Sequence, residues 1–478
     1  MQNGLSSPKR FLPHKFLQAL FVFAGFFPLA FVVYAPNPLS SFNVFKFGGV
    51  LLFCLFVFLF LERFLFHFYQ RLHKQPKYFV LIYSVIFLMV LTSRLMLFIP
   101  HSLVFLIPIS LSAMILSLLA TPNISLLVGT FISFLIGMVY MNDITLFFYF
   151  FMGNAVGTFS TYKRYKRAEL ITCGYIIGLF NMVFILAIGL YQGHMDVTWF
   201  IGNMFLGFIG GILSAMLSLG ILPYFEGVFN IATTQSLLEL SNLDHPLLKR
   251  LMLRTPGTYQ HSMMVGNLAE AAAEAVHADP ILARIGAYFH DIGKMKRPMF
   301  YTENQFSGDN PHTRLSPRMS KMVIAAHPRD GVELATKYKL PDIIKKFIIE
   351  HHGTSLVSFF YTQALHTEAF EDCESSKDEF RYPGPKPSFK ESGIVMLADS
   401  VEAAVRSMDK PTLQKIEHVM DTIFQTKLQD GQLSECPLSM REIYTIQRTF
   451  YQLFKSIYHH RIDYQEEIDA IIEHTKSK

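Results

Sequence analysis

Seven side chains of metal-binding type in the second half of this 478-residue chain stand out by their placement. They are His261, the adjacent pair His290-Asp291, His327, the adjacent pair His351-His352, and Asp399. Most stand at the ends of apolar runs: 281–289 leads into His290, 343–350 into His351 and 394–398 into Asp399. Neighbours on a helix point about 100° apart, at 3.6 residues per turn. A His-Asp pair can therefore set an imidazole on one ion and swing a carboxylate between two. A carboxylate has two oxygens and bridges; a neutral imidazole offers one lone pair and does not. Two ions about 3.5–4 Å apart clamp the oxygens of a phosphoryl group, so the pattern points to two-metal hydrolysis of a phosphate ester. Taken singly, a His-Asp, a His-His or an Asp after an apolar run is ordinarily a cap or a surface pair. The set, repeated at helix ends, carries the inference.

Composition says what must position these groups. The chain is 51% hydrophobic and only 17% charged, with 47 Phe. Residues 1–222 hold 13 Lys+Arg and 4 Asp+Glu, whereas 223–478 hold 29 and 33. A greasy basic half thus precedes a half of ordinary soluble composition. The overall charge of +5 comes from residues that flank apolar runs, so it signals a lipid bilayer as partner and no DNA or RNA polymer. Four cysteines without a CxxC spacing exclude a disulfide scaffold or zinc knuckle and fit a reducing compartment.

A membrane helix needs about 20 apolar residues. Eight spans are expected, near 16–35, 44–66, 78–98, 102–120, 123–141, 144–160, 170–191 and 198–222. The first ends in Ala35-Pro36-Asn37-Pro38, a poor cleavage site, and reads as a retained anchor. With eight spans the basic clusters at Lys9, Arg10 and Lys15, at Arg71, Lys74 and Lys77, and at Lys163, Arg164, Lys166 and Arg167 fall on one side with the soluble half. The opposite loops 36–43 and 192–197 hold neither Lys nor Arg. Positive charge inside makes the soluble half cytoplasmic in a multi-pass membrane protein. Gly207, Gly211 and Ala215 recur every four residues. That stripe allows close helix packing, with a homodimer contact as the alternative. The fold expected is all-α: a polytopic membrane domain (1–222), a helical linker (223–255) and an all-helical domain (256–478). The acidic stretch 366–381 reads as a flexible insertion.

The motifs resemble a known family. Thr255-Pro256-Gly257-Thr258-Tyr259-Gln260-His261-Ser262 and His290-Asp291-Ile292-Gly293-Lys294 are similar to the HD phosphohydrolase superfamily. Glu350-His351-His352-Gly353-Thr354, Tyr382-Pro383-Gly384-Pro385-Lys386-Pro387 and Met396-Leu397-Ala398-Asp399-Ser400 resemble its seven-transmembrane-receptor HD branch. These are the PgpH-type cyclic di-AMP phosphodiesterases. The resemblance implies two divalent ions, iron or manganese, the first held by His261, His290, Asp291 and Asp399. The second would be held by Asp291, His327, His351 and His352, with Asp291 bridging. It implies a cyclic dinucleotide, cyclic di-AMP, cut to linear pApA. Two features depart from the family. About eight residues separate the first two spans, where relatives carry a large domain. Pro328 follows His327, where an apolar residue is usual.

Two phosphodiesters call for cations. Lys294, Arg297, Arg318 and Arg329 lie near the metal motifs in sequence, with Lys294 the foremost candidate for a catalytic phosphate contact. The Tyr382–Pro387 loop is a candidate wall for adenine. His312 reads as a loop residue and His459-His460 as surface. Two rival readings keep the metal site: hydrolysis of another nucleotide, or a membrane receptor whose HD domain senses a nucleotide without cutting it.

Overall fold

The computed structural model describes residues 27–34, 43–99, 101–140, 143–164, 166–305, 310–367, 377–409 and 411–458. The first expected span lies mostly outside these residues, as do His459-His460 and 368–376 of the acidic stretch. The chain divides into two compact units, Met1–Gln235 and Ser236–Lys478. Among the described residues both are helical, and the one β-bridge joins Leu356 to Arg381.

In the first unit, α1 (Val44–Phe68), α2 (Pro76–Leu95), α3 (Ser110–Leu119), α4 (Pro122–Val139), α5 (Ile144–Thr161), α6 (Glu169–Tyr191) and α7 (Val197–Phe229) follow in order. Six of these are long and apolar enough to cross a membrane, α2 being extended by a short 3₁₀ turn to Phe98. They coincide with six of the eight expected spans. Thr121 and Asp143 cap α4 and α5 by accepting bonds from backbone N–H groups of the first turn, which fixes the breaks between neighbouring apolar runs.

The span expected at 102–120 differs. It consists of a 3₁₀ turn, His101–Leu106, and the ten-residue α3, interrupted at Ile107-Pro108. Pro108 brings no N–H and cannot continue a helix through its own position. The carbonyl of Phe105 is freed, and it accepts a hydrogen bond from the buried Tyr149 hydroxyl at 3.1 Å. Irregular backbone in an apolar unit survives only where protein groups satisfy it in this way.

Several buried polar side chains of α3, α4 and α5 are likewise satisfied. Ser112 donates to Asn154 Oδ1 (2.9 Å), and Asn154 Nδ2 donates to the Gly129 carbonyl (3.2 Å) and Ser133 Oγ (3.2 Å). Ser125 bonds the Ala113 carbonyl and Thr158. These contacts lace α3, α4 and α5 together. The small-residue stripe packs α7 on α6: a Cβ on Gly211 would stand 2.4 Å from the Gly178 nitrogen, and Gly174 lies against Ala215. The last helix runs on through Pro223 and stops at Asn230, which takes a left-handed conformation (φ 49°).

The second unit begins within α8 (Thr234–Leu240), which α9 (Pro246–Arg254), α10 (Pro256–Ala275) and α11 (Pro280–Phe289) follow. It continues with α12 (Pro317–Ile324), α13 (His327–Lys337), α14 (Asp342–Glu350) and α15 (Ser358–Thr367), then α16 (Lys390–Arg406), α17 (Leu413–Gln429) and α18 (Met440–Tyr458). Helix α16 is its core element: Ile394, Val395, Met396, Leu397 and Ala398 are all fully buried. Helices α10 and α11 pack on it and on each other, and α14 and α17 close the remaining sides.

The stripe yields a test. Gly211→Leu forces side-chain atoms into the backbone of α6, an overpacking cost of about 1–3 kcal/mol, whereas Gly220 faces open space. The melting temperature of the detergent-purified protein should fall by several degrees with Gly211→Leu and stay unchanged with Gly220→Ala. Equal behaviour of the two variants would remove the stripe from the packing scheme.

Candidate metal centre

All seven groups singled out in the sequence converge in the second unit, each delivered by a helix or a helix end. His261 projects from the second turn of α10. His290 and Asp291 follow the last residue of α11, and His351 and His352 follow the last residue of α14. His327 is the first residue of α13, and Asp399 lies in the buried run of α16. Two sets of ligand atoms form, each with its atoms within 4.8 Å of one another: Asp291, His327, His351 and His352; and His261, His290, Asp291 and Asp399.

Asp291 belongs to both sets and divides its oxygens between them. Oδ1 lies 3.2 Å from His327 Nε2 and 3.6 Å from His351 Nε2. Oδ2 lies 3.3 Å from His290 Nε2 and 3.7 Å from His261 Nε2. Asp399 sits 3.0 Å from His261 Nε2 and 3.6 Å from His290 Nε2 through Oδ1, and 3.5 Å from His352 Nδ1 through Oδ2.

The ring nitrogens facing away from the cluster fix which nitrogen faces in. Nδ1 of His290 donates to the Ala287 carbonyl (2.6 Å), that of His327 to Ile324 (2.7 Å) and that of His351 to Ile348 (2.9 Å). His261 Nδ1 bonds Glu402. A histidine that donates from one nitrogen offers a lone pair at the other. His327 and His351 thus aim two lone pairs at each other across 3.2 Å, beside a carboxylate oxygen. His290 Nε2 and both Asp291 oxygens are buried without a hydrogen-bond partner. Buried polar atoms of this kind are rare in folded proteins. Their convergence, with nitrogen and oxygen donors and no thiolate, fits divalent cations such as iron, manganese or zinc.

Electrostatics point the same way. Burial pulls the His327 imidazole down to about 3, and burial together with the neighbouring His351 holds His352 well below its ordinary value. Both are neutral donors. Burial alone would raise Asp291, but Lys294 and His290 outweigh it and hold the carboxyl well below the carboxylate range. Burial opposes charge on His290 too, yet the two aspartates raise it to about 10. The aspartates therefore concentrate enough negative charge to recruit any cation within reach.

Lys294 is such a cation. It reaches back over the 3₁₀ turn Ile292–Lys296, with Nζ 2.7 Å from Asp291 Oδ2 and 2.9 Å from Glu303 Oε1. The first contact sets a positive charge directly against the carboxylate that belongs to both sets. Gly293 allows the turn: a Cβ there would stand 1.9 Å from the His327 carbonyl oxygen. Pro328 occupies the second position of α13, where a missing N–H costs nothing.

The other cations are held elsewhere. Arg297 pairs with the buried Asp330 at 2.7 Å, Arg318 lies 3.5 Å from Glu379 on the surface, and Arg329 is exposed on α13. His312 bonds the Phe300 carbonyl in its loop. Tyr382 lays its ring 4.2 Å from that of His352. Glu402 was not singled out in the sequence, although its position three residues after Asp399 puts it on the same face of α16.

Comparison with known proteins follows this geometry. Residues 44–233 match the family described as 7TM receptor with intracellular HD hydrolase, and residues 258–404 match the HD domain. The chain is 45% identical over 319 residues to the cyclic-di-AMP phosphodiesterase PgpH of Bacillus subtilis, covering 66% of this chain and 44% of that protein. It is 38% identical over 340 residues to the Listeria monocytogenes protein of that name, covering 70% of this chain and 46% of the relative. It thus spans less than half the length of these relatives. The crystal structure of the L. monocytogenes PgpH HD domain is 43% identical and covers 45% of this chain and 100% of that one, with a TM-score of 0.43. A second structure of that domain is in complex with cyclic di-AMP. With both halves matched in order, the chain belongs to the family of seven-transmembrane receptors with an intracellular HD hydrolase.

Proposed function

We propose that this chain is a membrane-anchored phosphodiesterase that hydrolyses cyclic di-AMP to the linear dinucleotide. In this reading 1–222 is the membrane domain, 223–255 a helical linker and 256–478 the HD domain. The basic loops fix the HD domain on the cytoplasmic side of the cell membrane. The observation that carries the reading is Asp291, one buried carboxylate with one oxygen turned to each of two imidazole groups. Two divalent ions, iron or manganese, would when bound supply electrostatic stabilisation of phosphoryl oxygens and a water of lowered pKa.

The chain's own residues do the rest. His261, His290 and Asp399 would hold one ion, and His327, His351 and His352 the other; Asp291 belongs to both sets. Glu402 holds His261 in the required tautomer. Lys294 keeps its proton, because Asp291 and Glu303 outweigh the burial that would remove it. It acts as a fixed positive charge toward phosphoryl oxygen, not as a base. Tyr382 walls the cluster on the His352 side and presents a ring edge and face to a nucleobase.

The full chain purified with manganese or iron should cleave cyclic di-AMP, and a chelator should abolish cleavage. Asp291→Ala should lower turnover by about 10³-fold or more and release both ions in metal analysis. Retention of two ions by this variant would overturn the bridging role. Glu402→Gln removes the charge that orients His261 and should weaken metal affinity by about 10- to 100-fold. The variant's activity should return when metal is raised in proportion; loss of activity that excess metal does not restore would assign Glu402 another task.

A further inference from the structure

Lys427 lies on α17, beyond the stretch matched as HD domain. Its Nζ donates to Ser355 Oγ at 2.8 Å. Ser355 belongs to the loop that leaves the metal cluster. Its N–H donates to the His352 carbonyl (3.0 Å) and its carbonyl accepts from Tyr382 N–H (3.0 Å), whose ring covers His352. One hydrogen bond therefore separates Lys427 from the segment that carries a metal ligand and the aromatic wall.

Charge balance sets this lysine apart. Arg297 has Asp330, Lys390 has Glu442, and Lys294 has Asp291 and Glu303. Asp430, one turn beyond Lys427 on the same side, is taken by both terminal nitrogens of Arg381 (2.7 and 2.9 Å) and by Gln432. Among the described residues Lys427 has a neutral hydroxyl as its one hydrogen-bond partner and no carboxylate within ion-pair distance. It is nevertheless set deep among protein atoms: burial holds its pKa below the usual lysine value, opposed by Asp399 of the cluster and by Asp430. The side chain keeps partial solvent exposure, as a group lining a cleft does. An ammonium so placed is costly unless an anion completes it. Two of its three N–H groups remain to bind one.

A cyclic dinucleotide carries two phosphodiesters, and the metal cluster engages one at a time. We propose that Lys427 binds the phosphodiester that is not being cut, through a charge-assisted hydrogen bond to a non-bridging oxygen, so that α17 contributes substrate recognition to the HD site. This rests on the cyclic di-AMP reading above.

The test uses the full chain in detergent with two substrates. Cyclic di-AMP has the second phosphodiester; bis(p-nitrophenyl) phosphate has one alone. Lys427→Met and Lys427→Gln should raise KM for cyclic di-AMP by about 10- to 100-fold, the range of a charge-assisted bond, with kcat changed far less and two ions still bound. The ratio of kcat/KM for cyclic di-AMP to that for bis(p-nitrophenyl) phosphate should fall by the same factor. Lys427→Arg should hold the ratio within about threefold of wild type. A KM unchanged in both neutral variants, or equal losses on both substrates, would overturn the proposal while leaving the phosphodiesterase reading intact. Wild-type protein that cleaves bis(p-nitrophenyl) phosphate but not cyclic di-AMP would overturn both.

Discussion

The second unit is organised around one buried carboxylate. Asp291 is 1% exposed and makes no conventional hydrogen bond, a state that costs several kcal/mol unless cations surround it. Four imidazoles from three separate helix ends and one helix face crowd it, with one ammonium beside them. No local segment assembles such a ring; the helices have to meet end to face. The close approach of Gly293 to the His327 carbonyl and the buried run of α16 follow from that requirement. A side chain on Gly293 would push α13, and His327 with it, away from Asp291.

The helix ends solve two problems with one bond. The last carbonyls of a helix have no partner within it, and a metal-binding imidazole needs its outer nitrogen engaged. His290, His327 and His351 each donate Nδ1–H to the carbonyl three residues back, at Ala287, Ile324 and Ile348. Each thus caps a helix while setting its own tautomer. His261 is the exception, because it lies inside α10 where the carbonyls are already used. Its outer nitrogen turns to a carboxylate on another helix, Glu402.

This explains what the sequence disclosed and what it withheld. The seven donors were legible because apolar runs ending in His or Asp announce helix ends, and because a His-Asp and a His-His pair are rare together. Glu402 was not, since a glutamate on a helix face is ordinarily solvated; only its three-residue offset from Asp399 hints otherwise. Six membrane spans were legible from length and hydropathy. The break at Pro108 was harder to read. Its consequence depends on whether another helix offers a donor to the freed carbonyl, and Tyr149 is 44 residues away. The partners of the arginines near the motifs were hidden for a related reason. Proximity in sequence says nothing about which acid a guanidinium will meet, and Asp330 claims Arg297.

The same distinction orders the cations of the second unit. Arginine is matched to the structural acids: Arg381 grips Asp430 with both terminal nitrogens, Arg284 holds both oxygens of Glu270, and Arg297 takes Asp330. A guanidinium suits this work, since its planar fork fits a carboxylate two-fold and loses little freedom in doing so. Lys296 and Lys390 pair with acids as the arginines do, but two other lysines stand at the cluster and its rim. Lys294 faces Asp291, and Lys427 stands behind Ser355. An ammonium is a compact point charge with three rotatable donors, able to shift its bonds as the charge around it changes. At Lys294 a fixed fork would be bound too firmly by Asp291 and Glu303 to turn toward a phosphate.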